Sequence, residues 1–227
     1  MGVKKQKITE VDVATPVVAW LQNNNWEVYK EVEGPGGRAD IVAIRRTSKG
    51  SLVTWVVEVK TSASLTLLDQ AVNWISCSHY VSIATPVLKN CNKIVRLTCF
   101  NYGIGHFEVK CSGEHGEIRG VKYPSLHRNK HAVAQLWKDR LYESQKLSIA
   151  GNNKNQYWSK YRETCRMLAE YVSTHQGCGL KEAIDNTNHH YASTQSARSC
   201  LLDLLKKDVV YGLRGEFVGK EIKLYTK

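Results

Sequence analysis

The sequence predicts an α/β protein: a mixed β-sheet flanked by helices, followed by a smaller C-terminal domain of three helices and a β-ribbon. Three observations lead there. Residues 40–44 (DIVAI) and 52–60 (LVTWVVEVK) are apolar runs of strand length around the polar turn Thr47-Ser48-Lys49-Gly50. Up to about residue 110, stretches with a period of two alternate with stretches of helical spacing. After the polar run Gly151-Asn-Asn-Lys-Asn-Gln156 the pattern becomes mainly helical. At 227 residues, 42% of them hydrophobic, the chain can build one full domain and a smaller one. The predicted division is 1–147, a linker 148–156, and 157–227.

Residues 9–22 carry Val11, Val13, Val17, Val18, Trp20 and Leu21 at helical spacing, with Thr9 as N-cap and Asp12 three residues on. Pro16 within this run predicts a kink or a second helix start. Residues 26–33 (WEVYKEVE) alternate as a first strand, with Trp26, Val28, Lys30 and Val32 on one face. The hairpin follows. Centred on Lys49, it sets Asp40 opposite Glu58, their Cβ atoms roughly 5 Å apart. Residues 65–78 read as a helix, 79–84 as a buried strand, 89–100 as a helix and 103–109 as a strand. Residues 111–124 read as loop with an edge strand, and 131–146 as one basic amphipathic helix. Beyond the linker, helices are predicted at 161–173, 180–185 and 193–207, then a hairpin of strands 209–213 and 221–225 around Gly215 and Gly219.

Two carboxylates and the Lys60 ammonium therefore converge at the end of an apolar hairpin, where charges are rare unless paired or metal-bound. Side-by-side carboxylates are hard oxygen ligands suited to Mg²⁺, which commonly binds one or two carboxylates plus substrate phosphate. A nearby lysine can hold the attacking water or stabilise charge developing on phosphate oxygens.

At these residues the chain resembles the PD-(D/E)XK, or restriction-endonuclease-like, nuclease superfamily. Asp40 matches the first acid and Glu58-Val59-Lys60 the (D/E)XK element, with Ala39 in place of the motif's proline. The resemblance implies a restriction-endonuclease-like core and a metal held by Asp40, Glu58 and the Val59 carbonyl, with Mn²⁺ able to replace Mg²⁺. It implies hydrolysis of DNA phosphodiesters to leave a 5′-phosphate, with Lys60 positioning and activating water. In some members a helix glutamate upstream of the hairpin completes the metal shell; Glu10 matches by placement, with Glu31 and Glu33 as rivals. Gln70 and Trp74 resemble the Q-x-x-x-Y element of recombination-exonuclease-type members, with Trp for Tyr, so that Gln70 would orient water or phosphate.

The C-terminal part resembles a winged helix-turn-helix domain, which implies that Thr194, Gln195 and Arg198 enter a major groove. It also implies that Arg214 and Lys220, at the wing tip, meet the backbone. A net charge of +11 suits a polyanionic partner, here double-stranded DNA. A nuclease domain followed by a winged helix resembles the endonuclease subunit of certain cut-and-paste transposons, which implies a phage or mobile-element origin. The alternatives are a DNA-binding regulator with an inert nuclease fold and a structure-specific resolvase of the Holliday-junction type.

The seven cysteines are scattered with no CxxC pair, which argues against a disulfide framework or zinc ribbon and for a reducing compartment. His175, Cys178, His189 and His190 fit no common zinc spacing. Without a leader or long apolar run, the predicted location is cytoplasmic, with no membrane partner and a homodimer admitted.

Overall fold

A computed structural model describes residues 7–87, 93–111, 116–127, 131–151, 160–208, 210–219 and 221–227. The chain divides into two compact units, Met1–Tyr157 and Trp158–Lys227.

The first unit runs α1 (Glu10–Asn23), β1 (Glu27–Gly34), β2 (Gly37–Arg46), β3 (Leu52–Val59), α2 (Leu65–Asn73), β4 (Tyr80–Pro86), α3 (Lys93–Asn101), β5 (Gly105–Lys110), β6 (Glu117–Lys122) and α4 (His131–Lys138). Its six strands lie side by side in sequence order. The β3/β4 and β4/β5 pairs are parallel and the others antiparallel, so the sheet is mixed. Residues Val13, Val17 and Leu21 of α1 pack with Ile41, Val57 and Phe107 on one face. Leu67, Ala71, Trp74, Val95, Val133 and Trp137 pack with Val42 and Val56 on the other. The result is an α/β fold with helices on both faces of the sheet.

Helix α1 starts where the sequence places it, because Thr9 and Asp12 cap each other: Asp12 N–H donates to Thr9 Oγ1 and Thr9 N–H to Asp12 Oδ2, at 3.3 and 2.7 Å. Pro16 neither breaks it nor restarts it. The Asp12 carbonyl, denied the N–H that Pro16 lacks, lies 3.8 Å from the Cys111 thiol, which donates to it. Gly116 packs on the proline ring, where a Cβ would come within 2.7 Å of Cγ.

The central hairpin has the register read from the sequence: Ile41 faces Val57 and Ile44 faces Thr54. Gly50, at φ +77°, closes the turn, with Thr47 N–H donating to Ser51 O at 2.9 Å. Strand β1 departs from simple alternation. Glu31 sits at φ 56°, so Tyr29 and Val32 enter the same core cluster instead of opposite ones. The single helix expected at 131–146 is instead α4 and a 3₁₀ turn, Glu143–Leu147. Buried Gln145 holds the break: its Oε1 accepts from Tyr142 N–H at 2.8 Å and its Nε2 donates to Arg140 O at 3.1 Å. Residues 148–151, read as the start of the linker, pack on this unit, with Ala150 in its core.

The second unit runs α5 (Lys160–Thr174), β7 (Cys178–Gly179), α6 (Leu180–Asp185), α7 (Thr194–Lys206), β8 (Leu213–Val218) and β9 (Glu221–Thr226), with strand order β7-β9-β8. Leu168, Val172, Ile184, Leu201, Leu213 and Leu224 share one core. The hairpin is shifted from the expected 209–213 and 221–225. Gly215 is a strand residue packed beneath α7, where a Cβ would stand 3.1 Å from Ile222 Cγ2, and the turn falls at Gly219, φ +63°. Arg214 therefore lies at the open end of the hairpin rather than at its tip, paired with Tyr225.

Candidate functional site

The β2/β3 ladder ends at Ile41–Val57, and the next interaction is made by a side chain. Asp40 Oδ2 accepts the Val59 N–H at 2.8 Å, taking a backbone donor that a longer ladder would use. The Val59 carbonyl leaves the same edge of the strand as its N–H, toward Asp40. On the other side, Lys60 N–H donates to Ala84 O at 3.1 Å, so β4 fixes this end of β3.

Asp40 and Glu58 are 8% and 1% exposed. Each carboxyl is held from the chain: Asp40 by Val59, and Glu58 by the Trp74 indole N–H, which donates to Oε1 at 2.7 Å. Burial pushes the Glu58 carboxyl well above the usual carboxylate range, and the charge of Asp40 adds to that; the Trp74 hydrogen bond opposes both. The two carboxyls act on each other, and Glu58, the more deeply buried, is raised the further of the pair. Burial also raises Asp40, against the lowering pull of the Val59 N–H and of Lys60.

Lys60 Nζ lies 3.0 Å from Glu10 Oε1, both side chains largely covered. Burial alone pulls the ammonium down, but the Glu10 hydrogen bond and the charges of Asp40, Glu10 and Glu58 outweigh it and leave Lys60 raised. Lys60 is thus a permanent cation beside the carboxyls. Glu10 is the first residue of α1, placed by the Thr9 cap, and its Oε2 is buried with no hydrogen-bond partner. Gly151, at φ +75°, packs against the Glu10 backbone, where a Cβ would meet the Glu10 carbonyl carbon at 2.9 Å.

The two rival acids stand elsewhere. Glu31 is buried, paired with Arg38 Nε at 3.1 Å and accepting the Gly151 N–H at 2.8 Å. Glu33 is exposed. Gln70 is on α2, one turn before Trp74, and its Oε1 is buried without a partner. The structure thus brings Asp40, Glu58, Lys60 and Glu10 together and sets Gln70 on the helix that supplies the Glu58 donor. Sequence reading missed the Trp74 N–H and the Gly151 contact. The signal for the first was present, since a tryptophan buried beside a strand glutamate needs an acceptor for its indole.

In the second unit, Gln195 and Arg198 are exposed on the first turns of α7, and Thr194 is half-buried. Arg214 stacks on Tyr225 at 5.3 Å and lies 3.5 Å from Glu216, away from the hairpin tip. Lys220 lies outside the described residues. Cys77, Cys99, Cys111, Cys165, Cys178 and Cys200 are free thiols. His190 Nδ1 is 2.8 Å from Thr164 Oγ1 and His175 stacks on Tyr171 at 4.2 Å. Among the described residues no three His, Cys, Asp or Glu side chains gather around one point as a ready metal site, and no helix is long and apolar enough to cross a membrane. Compared with protein-family models, curated proteins and solved structures, the chain matches none of them.

Proposed function

We propose that the chain is a divalent-metal-dependent DNA endonuclease whose second unit is a winged helix that places it on duplex DNA. One observation carries the reading: Asp40 and Glu58 are buried against each other at the end of an apolar hairpin, with Lys60 beside them. Replacing buried charged groups by apolar residues of similar volume is often neutral or stabilising, so stability alone gives no reason to keep this pair.

The residues fit Mg²⁺ or Mn²⁺. Asp40 and Glu58 offer carboxyl oxygens and Val59 its carbonyl, and the unpartnered Glu10 Oε2 is a further hard acceptor. A divalent cation there supplies Lewis acidity to the scissile phosphate and lowers the pKa of water. Glu58 would hold the cation as a carboxylate, and the Trp74 N–H would keep that carboxylate oriented. Lys60, cationic and steadied by Glu10, orients the attacking water or offsets charge growing on the phosphate oxygens. Gln70 Oε1 is available to accept a hydrogen from water. The water oxygen bonds to phosphorus as the P–O3′ bond breaks, leaving a 5′-phosphate and a 3′-hydroxyl.

The second unit supports the DNA-binding half of the reading by its element order, helix–strand–helix–helix–hairpin, and by the exposed Gln195 and Arg198 at the start of α7. The net charge of +11 agrees. The test is incubation of supercoiled plasmid with the purified protein in Mg²⁺ or Mn²⁺, beside EDTA and a Glu58→Gln control. Nicked or linear product that vanishes in EDTA and in Glu58→Gln is expected. Intact plasmid with DNA binding retained would make the chain an inert-fold regulator.

A further inference from the structure

Away from the carboxyl pair, five aromatic rings from five segments of the first unit surround an open pocket of about 360 Å³. Trp20 comes from α1, Trp26 from the lead into β1, Trp55 from β3, Tyr80 from β4 and Tyr123 from the segment after β6. Arg45, at the end of β2, completes the rim with its guanidinium 4.5 Å over the Trp26 ring. Trp55 forms the floor: it is 4% exposed, its indole N–H donates to Ser82 Oγ at 3.0 Å, and Trp26 and Tyr80 stand around it at 5.4 and 6.0 Å. The outer walls stay in contact with water. Tyr123 is 71% exposed although its ring centre is 6.1 Å from Trp20.

Such a cluster left open is costly, because its apolar faces could be covered by closing over them. The lining also selects a ligand. Among the described residues no carboxylate lines the pocket and the one charged group is Arg45, so a quaternary ammonium or methylated lysine would meet a like charge. A planar π-system that carries a phosphate is favoured by both features: rings to stack on and a guanidinium for the anion. The volume is sufficient for one base with its sugar. Arg45 is oriented for this by the backbone, since its Nε and Nη2 donate to the carbonyls of Asn25 and Asn24 and hold the side chain across Trp26.

We infer that this pocket is a stacking subsite for a single unpaired nucleobase on a phosphate, distinct from the carboxyl pair. Trp55 is three residues before Glu58 on β3, about 10 Å along the strand and on its opposite face. The two sites are therefore separate, and the choice of a nucleotide as occupant rests on the nucleic-acid half of the reading above.

The test uses the full chain in EDTA, so that binding is read without cleavage. Fluorescence of 2-aminopurine is followed in three probes: a duplex with the analogue as a one-base bulge, the same duplex fully paired, and the free mononucleotide. The bulged duplex should bind about fivefold to a hundredfold more tightly than the paired one, with a change in 2-aminopurine emission. Tyr123→Ala, an exposed position, should abolish that preference and leave paired-duplex affinity unchanged; Tyr123→Phe should retain it; Arg45→Ala should weaken it. An emission change with the mononucleotide, lost in Tyr123→Ala, would support the subsite and assign it to free nucleotides. Equal affinity for bulged and paired duplex with no mononucleotide response overturns the inference, as does a preference indifferent to Tyr123→Ala. Plasmid cleavage is scored separately, so a failed subsite with intact cleavage and a working subsite without cleavage are distinct results.

Discussion

Replacing Trp74 by phenylalanine isolates the contact that sequence reading missed. Trp74 is 2% exposed, donates its indole N–H to Glu58 at 2.7 Å, and packs its ring against Trp137 and beneath Gly34, where a Cβ would meet it at 2.8 Å. Two effects follow and can be measured apart. Shrinking the ring leaves a void between tightly packed neighbours, which costs on the order of 2 kcal/mol of stability, less than the 3–5 of full truncation. The lost hydrogen bond acts on ligand binding. A neutral acceptor gains about 0.5–1.5 kcal/mol from such a bond and a charged one about 1.5–3. Burial raises the Glu58 carboxyl, and on the proposed reading it meets the cation ionised, so the bond would strengthen by roughly 1 kcal/mol on binding. Trp74→Phe should therefore weaken Mn²⁺ affinity about fivefold beyond any fold effect, read by calorimetric titration of folded protein. Urea unfolding should show the stability loss separately. Wild-type Mn²⁺ affinity in a variant that has lost the expected stability would refute the reasoning, because Trp74 would then be packing and nothing more.

Glu10→Gln should lower plasmid cleavage about tenfold to a hundredfold with little loss of stability, since it unsettles Lys60 without opening the core. Glu33→Gln, at an exposed position, should change neither, while Glu31→Gln should cost about 2 kcal/mol in urea unfolding through its bonds to Arg38 and Gly151. Without divalent cation, stability should fall as pH rises above the usual glutamate range. A buried acid whose folded pKa is raised binds more protons folded than unfolded, so its contribution is complete below the unfolded pKa and is lost through the folded one. Glu58→Gln should flatten that decline and exceed wild-type stability on its alkaline side, so urea unfolding curves that fall in parallel for both proteins would dismiss it. Arg198→Ala, exposed on α7, should relax site preference by about 1–3 kcal/mol in a randomised-site binding selection; unchanged preference would remove it from base recognition.

The hairpin was legible because its information is local. A turn ending in glycine and a period of two fix the register, and the register sets Asp40 against Glu58 before any tertiary contact is known. The start of α1, and with it the position of Glu10, was legible through the cap, Thr9 with Asp12. What stayed hidden depends on packing between distant segments. Trp74 reaches Glu58 only because α2 crosses the sheet at one height, and Gly151 reaches Glu10 from the far end of the unit. Pro16 starts no second helix, and the sequence does not reveal that Cys111 would donate to the Asp12 carbonyl left without an N–H or that Gly116 would make room for the ring. Gly215 was read as a turn by its residue type, yet its smallness serves the approach of α7 and Ile222. The aromatic pocket escaped notice because its rings come from five segments, none unusual alone.

The charge balance at the end of β3 connects these features to a ligand. The Asp40 and Glu58 carboxyls share this end of the strand with the Lys60–Glu10 pair. Fully ionised, the group carries a net charge of −2, which is costly where two of its carboxylates, Asp40 and Glu58, are buried. Burial opposes it by raising the Glu58 carboxyl, while Glu10 Oε2 is left without a hydrogen-bond partner. Protonation is an incomplete remedy, because the Trp74 N–H and the Val59 N–H are aimed at carboxyl oxygens and bind anions better than acids. A divalent cation cancels the same −2 and lets both donors meet full negative charge, whereas a monovalent cation leaves half of it uncompensated. Binding should release close to one proton per cation at a pH below the Glu58 transition, and calorimetry in buffers of different ionisation enthalpy counts it. Release of none would mean that Glu58 is already ionised and that the pair is held by the protein alone.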